Sequence, residues 1–346
     1  MTVNARSQKW DIVKFALIFL VVLGHVADYY AGTHEHIRGL IFIIYIFHMP
    51  LFIFVSGLFS KKTVENKAYD KLLGYLVIYV AIKLILHFFK LFVGRTPEFN
   101  LFVEGGAPWF MLALFFFNLI TILVRKVRPA VVLSVSVVLA CIAGFFPFIR
   151  DFLAVSRIFV FFPFFYLGYC ADRAKLESFC KGKAKKFIAV LILVAVCVAV
   201  FVAGDEIYKI RYLLTGKNPY ETLGVFAPYG LPLRLAYYVV ATIVSLCFII
   251  IIPDRTPKGI VAKLGQRTLA VYVLHYTVIY LVFEYFKLKP VFENLIGRYD
   301  EWIAVPLSVV ITLLFSFEFF NKAMLWLMCL PSNIITAVKN KQSVHQ

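Results

Sequence analysis

Along the chain, apolar runs about as long as a bilayer core is thick alternate with short clusters of lysine, arginine, glycine and proline. A helix rises about 1.5 Å per residue, so ~20 apolar residues cross ~30 Å of hydrocarbon. Ten stretches reach or approach that length: residues 12–30, 38–60, 72–93, 108–124, 130–149, 152–170, 187–203, 234–252, 268–287 and 302–327. The fifth and sixth leave room only for a tight turn at Arg150-Asp151. The pattern predicts an all-α integral membrane protein with about ten transmembrane helices. A single membrane domain is expected over 1–330, followed by a basic tail at 331–346 whose end looks irregular.

The first span breaks its own apolar pattern. Asp11 and Lys14 stand near its start, His25 past its middle and Asp28 near its end. Eleven residues at about 100° each come within roughly 20° of three full turns, so Lys14 and His25 share a face about 16 Å apart along the axis. Asp11 lies three residues before Lys14 and Asp28 three after His25, which extends that polar stripe at both ends. A charge at the centre of a membrane helix costs roughly 3 kcal/mol on insertion scales, so such residues face a protein interior or a wet cavity.

Composition agrees with a membrane chain: 62% of the 346 residues are hydrophobic and 17% aromatic, and the mean hydropathy is +0.86, outside the range of soluble domains. The net charge of +17 changes meaning once it is placed on the spans. Lys61, Lys62, Lys67 and Lys71, then Arg125, Lys126 and Arg128, the cluster from Arg173 to Lys186, Arg255, Lys263 and Arg267 all fall on one side. This positive-inside pattern predicts both termini in the cytoplasm of a multi-pass cell-membrane protein, a bacterial plasma membrane being the expected one. The basic excess needs no nucleic acid; membrane lipid is the expected surrounding. The six cysteines show no metal-ligand spacing and read as packing residues, so no metal is expected. The first apolar segment contains charges and no small-residue cleavage site follows it, so it reads as a membrane helix and not as a cleavable leader.

Several intramembrane polar residues are candidates for chemistry. His25 has the imidazole a general base needs near neutral pH, while packing is the alternative for a lone histidine. Lys14 either holds an anionic group or neutralises Asp11. His48 precedes Met49-Pro50, where proline frees a backbone carbonyl that the histidine could cap. Arg157 and His275 lie within the sixth and ninth spans, and Trp109 starts the fourth, where an aromatic-belt anchor is the simpler reading. The longest stretch between spans, 204–233, offers either an acceptor-binding cap or an irregular connector.

The stretch from Trp10-Asp11-Ile12-Val13-Lys14 through Val22-Leu23-Gly24-His25 resembles the opening helix of the membrane-bound acyltransferase-3 family, whose hallmark is a basic residue, ten residues and then histidine. The run Phe47-His48-Met49-Pro50-Leu51-Phe52, Pro108-Trp109-Phe110, Ser156-Arg157 and Leu264-Gly265-Gln266-Arg267-Thr268-Leu269 through Tyr272 to His275 fit the family in the same order. The flavour is closest to the fucose 4-O-acetylase-like branch. Lys14 departs from it, since many members carry arginine there, which puts a bidentate contact in doubt. The resemblance implies an O-acyltransferase that moves an acetyl group from cytoplasmic acetyl-CoA, a donor substrate, to a hydroxyl of a cell-surface or lipid-linked glycan. It implies His25 as base or transient acyl carrier, with Asp11 and Lys14 below it in the catalytic group. His48, Trp109, Arg157, Tyr272 and His275 would shape the substrate path. The rival function is a small-molecule transporter built on the same membrane domain, because a polar stripe also suits a permeation route.

Overall fold

The computed structural model describes residues 7–104, 106–256 and 259–344. Its helices are α1 (Gln8–Ala27), α2 (Glu35–Leu58), α3 (Lys61–Glu65), α4 (Tyr69–Phe92), α5 (Trp109–Val124), α6 (Pro129–Ala143), α7 (Val155–Cys170) and α8 (Arg173–Phe179). They continue as α9 (Lys183–Tyr208), α10 (Arg211–Leu214), α11 (Gly230–Ile251), α12 (Ile260–Gly265), α13 (Thr268–Tyr280), α14 (Lys289–Ile296), α15 (Ala304–Phe315) and α16 (Glu318–Val344). Among the described residues no strand forms; Val103 and Phe152 make one isolated antiparallel bridge between loops.

Among the described residues six helical segments can cross a membrane by length and composition, and eight can if each of two bent pairs counts as one span. Two shorter apolar helices, α5 and α6, complete the bundle. The core helix is α1, packed on by α2, α12, α13 and α15. Two-thirds of its apolar window (67%) is buried, against 11% for α9. The contrast assigns their surroundings. Val190, Leu191, Val194, Val198 and Phe201 on α9 are exposed as a lipid-facing helix requires, while α1 is apolar because protein surrounds it.

Several boundaries differ from the apolar pattern, each for a local reason. The fifth run stops at Ala143; Gly144 and Pro147 end the helix, and a 3₁₀ turn at Pro147–Ile149 replaces a tight turn at Arg150-Asp151. Gly204, at φ 52°, interrupts α9 where the apolar run ends. The run 302–327 is not one helix: the chain bends by 64° between Phe315 and Glu318. Arg267 fixes that break, donating to the Ser316 carbonyl at 3.1 Å and pairing with Glu318 at 3.5 Å. The end of the chain also departs from expectation, since α16 continues through Lys339 to Val344; the last two residues of the tail lie outside the described set.

Small residues set the closest helix contacts. A Cβ on Gly57 would overlap the Phe165 carbonyl oxygen, and one on Gly168 would overlap the Phe54 carbonyl, so α2 and α7 meet backbone to backbone. Gly265 does the same for α12 against the Asp11 carbonyl of α1. Substituting alanine for Gly57 or Gly168 forces the helices apart, a cost of about 1–3 kcal/mol for overpacking. In detergent each variant should melt several degrees below the parent, whereas Gly32→Ala, with nothing within 4 Å of the added atom, should not. Fluorescence-monitored thermal melting checks this; equal melting temperatures for all three variants would contradict the close approach.

Candidate active site

The polar stripe on α1 resolves into two separate centres. At the first, the Asp11 carboxylate pairs with Lys14 at 2.7 Å and accepts from the Gln266 side-chain amide at 3.1 Å. The Leu264-Gly265-Gln266-Arg267 segment thereby acquires a structural reading: Gly265 brings α12 against α1, Gln266 meets Asp11, and Arg267 holds the α15–α16 break. The Lys14 ammonium lies 5.9 Å from the Phe59 ring centroid, and the Arg173 guanidinium lies 5.8 Å from the same ring. Two cations therefore flank one aromatic ring at this end of α1.

His25 stands about three turns away, roughly 16 Å along α1, so Asp11 and Lys14 cannot touch the same reacting atoms as its imidazole. Its Nδ1 is 2.9 Å from the Tyr276 hydroxyl and 3.9 Å from Asp28. Asp28 in turn accepts from the Tyr45 hydroxyl at 2.6 Å, and Gly24 leaves room for that tyrosine ring against α1. His275 stacks on His25 with ring centroids 5.4 Å apart. Its Nδ1 faces the carbonyls of Val271 and Tyr272 at 3.1 and 2.8 Å, and carbonyls only accept, so Nδ1 carries the proton. The buried Nε2 of His275 is left as an acceptor without a hydrogen-bond partner.

His48 is fixed by the same logic. Its Nδ1 donates to the Ile44 carbonyl at 2.7 Å, and its ring lies 5.1 Å from that of Tyr45. It does not cap the carbonyl that Pro50 frees, which belongs to Ile46 four residues before the proline. Trp109 is no interfacial anchor: it is buried, stacked on Phe161 at 5.3 Å and covered by the Arg157 guanidinium at 4.9 Å. Arg157 also donates to the Thr215 and Gly106 carbonyls at 3.3 and 3.4 Å, and Ser156 donates to Gly216 at 2.8 Å. The Tyr272 hydroxyl donates to the Ala107 carbonyl. Arg157 and Tyr272, from α7 and α13, thus both reach the loop leading into α5.

That loop walls a cavity of about 390 Å³ between α4 and α13. Lys83, His87, Lys90, Glu104, Tyr276 and Tyr280 are among its lining residues. Glu104 is buried, paired with Lys83 at 3.2 Å, and accepts from the Gly106 amide at 2.8 Å. Burial pushes its carboxyl above the usual range, opposed by Lys83. No lining residue of this cavity comes from 204–233; that stretch instead packs down through Tyr220, whose hydroxyl donates to the Cys141 carbonyl at 2.8 Å.

Tyr276 both lines the cavity and holds His25, which makes it a candidate site residue that the sequence pattern did not single out. A signal existed: Tyr272, Tyr276 and Tyr280 recur every four residues and so share one face of α13. Chemically, the centre offers an imidazole with a bonded phenol, a second histidine with a bare nitrogen, and a polar cavity beside them. Such a group can take a proton from a hydroxyl entering the cavity and return it to a leaving group.

The pattern described as "Acyltransferase domain" matches residues 8–320, most of the chain. The nodulation protein NolL of Mesorhizobium japonicum is 24% identical over 289 residues, covering 78% of this chain and 76% of its own length. NolL of Sinorhizobium fredii is 24% identical over 290 residues, covering 78% and 77%. No solved structure matches the chain. The family match over most of the chain, with several helices apolar and long enough to cross a membrane, establishes the class: this chain is a multi-pass membrane acyltransferase and belongs to the acyltransferase-3 family.

Proposed function

We propose that this acyltransferase moves an acetyl group from cytoplasmic acetyl-CoA to a hydroxyl of a cell-surface or lipid-linked glycan. The observation that carries the reading is the His25–Tyr276 hydrogen bond at the edge of a polar cavity, with the Lys14 and Arg173 cations at the other end of α1. The acceptor hydroxyl enters the cavity and gives its proton to His25. The resulting alkoxide attacks the thioester carbonyl, the C–S bond breaks, and the CoA thiolate takes the proton back from the imidazolium. A route through a transient acyl-histidine uses the same nitrogen as nucleophile. Lys14 and Arg173 are suited to the phosphates of CoA, since cations at a partly open helix end attract anions without entering the reaction. Trp109, Arg157 and Tyr272 position the loop that walls the acceptor cavity, while His275, stacked on His25, and His48, beside Tyr45, are assigned to the substrate path at the His25 end. General-base help of 10²–10⁴ corresponds to roughly 3–5 kcal/mol.

The reading includes ten crossings, counting α5 and α6 as short spans and each bent pair as one, with both termini and the Lys14 end of α1 in the cytoplasm of a cell membrane. The acyltransferase domain occupies 1–330 and the basic tail 331–346. Single cysteines in a cysteine-free background at Lys62 and Lys181 should resist an impermeant thiol reagent in intact cells, while one at Glu221 should react. The reverse pattern would invert the topology.

The kinetic expectations separate the two ends of α1. His25→Ala should lower kcat for acetyl transfer by 10²–10⁴ while the protein still inserts and accumulates. Tyr276→Phe removes one hydroxyl at nearly constant volume and should lower kcat about tenfold with little change in KM for acetyl-CoA. Lys14→Arg should keep substantial activity, and Lys14→Ala should raise KM for acetyl-CoA and lose most of it. Steady-state assays of free CoA release on purified variants measure all four. Near-normal turnover in His25→Ala would remove it from the reaction.

A further inference from the structure

The turn after α1 meets the turn before α15 at a buried cluster that the acyl-transfer site does not use. His34, which precedes α2, places Nε2 2.9 Å from Asp300 and Nδ1 3.2 Å from Glu301. Both acids are almost fully buried, at 2% and 1% exposed. One donor atom from each of the three residues lies within 4.8 Å of the others. A neutral imidazole has one N–H, so its other nitrogen would turn a lone pair toward a carboxylate. Two buried carboxylates on one neutral ring are repulsive, and the cluster requires another positive charge.

That charge is a proton on His34 or a metal ion, and two features favour the ion. Glu301 Oε2 is buried without a hydrogen-bond partner, because its approach to His34 lacks hydrogen-bond geometry. The hydroxyl of Tyr30, a fully buried residue, is likewise without a partner. The Tyr30 ring meets that of His34 edge to face at 6.2 Å, and both carboxylates are near enough to interact electrostatically with its hydroxyl. An imidazolium would pair electrostatically with Glu301 but would leave the Tyr30 hydroxyl without a partner. Lys289 sits over the face of the Tyr30 ring at 5.3 Å and donates to the Tyr29 carbonyl.

We propose that His34, Asp300, Glu301 and the Tyr30 hydroxyl form a binding site for a divalent transition-metal ion. One imidazole with three oxygens suits zinc or manganese better than calcium, which prefers an all-oxygen shell of six to eight ligands. Four protein ligands in a buried setting make the site structural, tying the end of α1 to α15 a few residues beyond His25. The ligands come from opposite ends of the sequence, so no short spacing motif announces them.

The test uses the full chain purified in detergent, equilibrated with ZnCl2 and desalted. Metal analysis should find about one zinc per chain, and zinc should raise the melting temperature by several degrees. His34→Ala and Asp300→Asn should lose both the metal and the stabilisation, while His36→Ala, an exposed neighbour, should keep both. Should the variants fail to fold, zinc X-ray absorption on the parent decides: one imidazole nitrogen among oxygen ligands supports the site. A sulfur ligand, a parent that retains no zinc, or equal zinc in parent and variants would overturn it and leave an ion-pair clamp only.

Discussion

Inside a bilayer a polar side chain has no water to turn to, so each one on α1 must be met by a group from another helix. That constraint organises the bundle. Asp11 draws Gln266 and permits the glycine contact of α12; Asp28 draws Tyr45 from α2; His25 draws Tyr276 from α13. Helices distant in the chain converge on α1 because its polar atoms need them, and the apolar packing closes around those meetings.

The same constraint explains what the sequence made legible. Apolar run length located the principal helices, since lipid demands continuous hydrocarbon surface, and the ionisable residues on the first run marked the candidate site. Less visible were features set by tertiary contact. The bend after Phe315 depends on Arg267 from another segment, and the burial of Trp109 depends on Phe161 and Arg157, so neither shows in a local window. Tyr276 carried only a four-residue recurrence in a sequence rich in tyrosine. Lys14 and His25 both lie on α1, yet three turns of helix separate them, so they cannot touch the same reacting atoms.

The loop before α5 gains importance from this geometry. Glu104, Gly106 and Ala107 are gripped by Lys83, Arg157 and Tyr272 from three helices, so the cavity wall is held by charged and hydrogen-bonded contacts and not by apolar packing. A wall fixed in this way can be polar and still be placed reproducibly beside Tyr276, the partner of His25. The longer 204–233 stretch supports that wall indirectly, by offering the Thr215 carbonyl to Arg157.

The central claim is that one chain passes an acetyl group from a donor on one face to an acceptor on the other. Proteoliposomes with acetyl-CoA, radiolabelled in the acetyl group, confined to the side that contacts the Lys14 end, and a lipid-linked glycan on the opposite leaflet, test it directly. The account predicts label on the glycan, released by mild alkali, from the parent protein and not from His25→Ala. Intact acetyl-CoA and unlabelled glycan, accompanied by flux of a small solute across the same vesicles, would contradict it and identify the polar stripe as a permeation path.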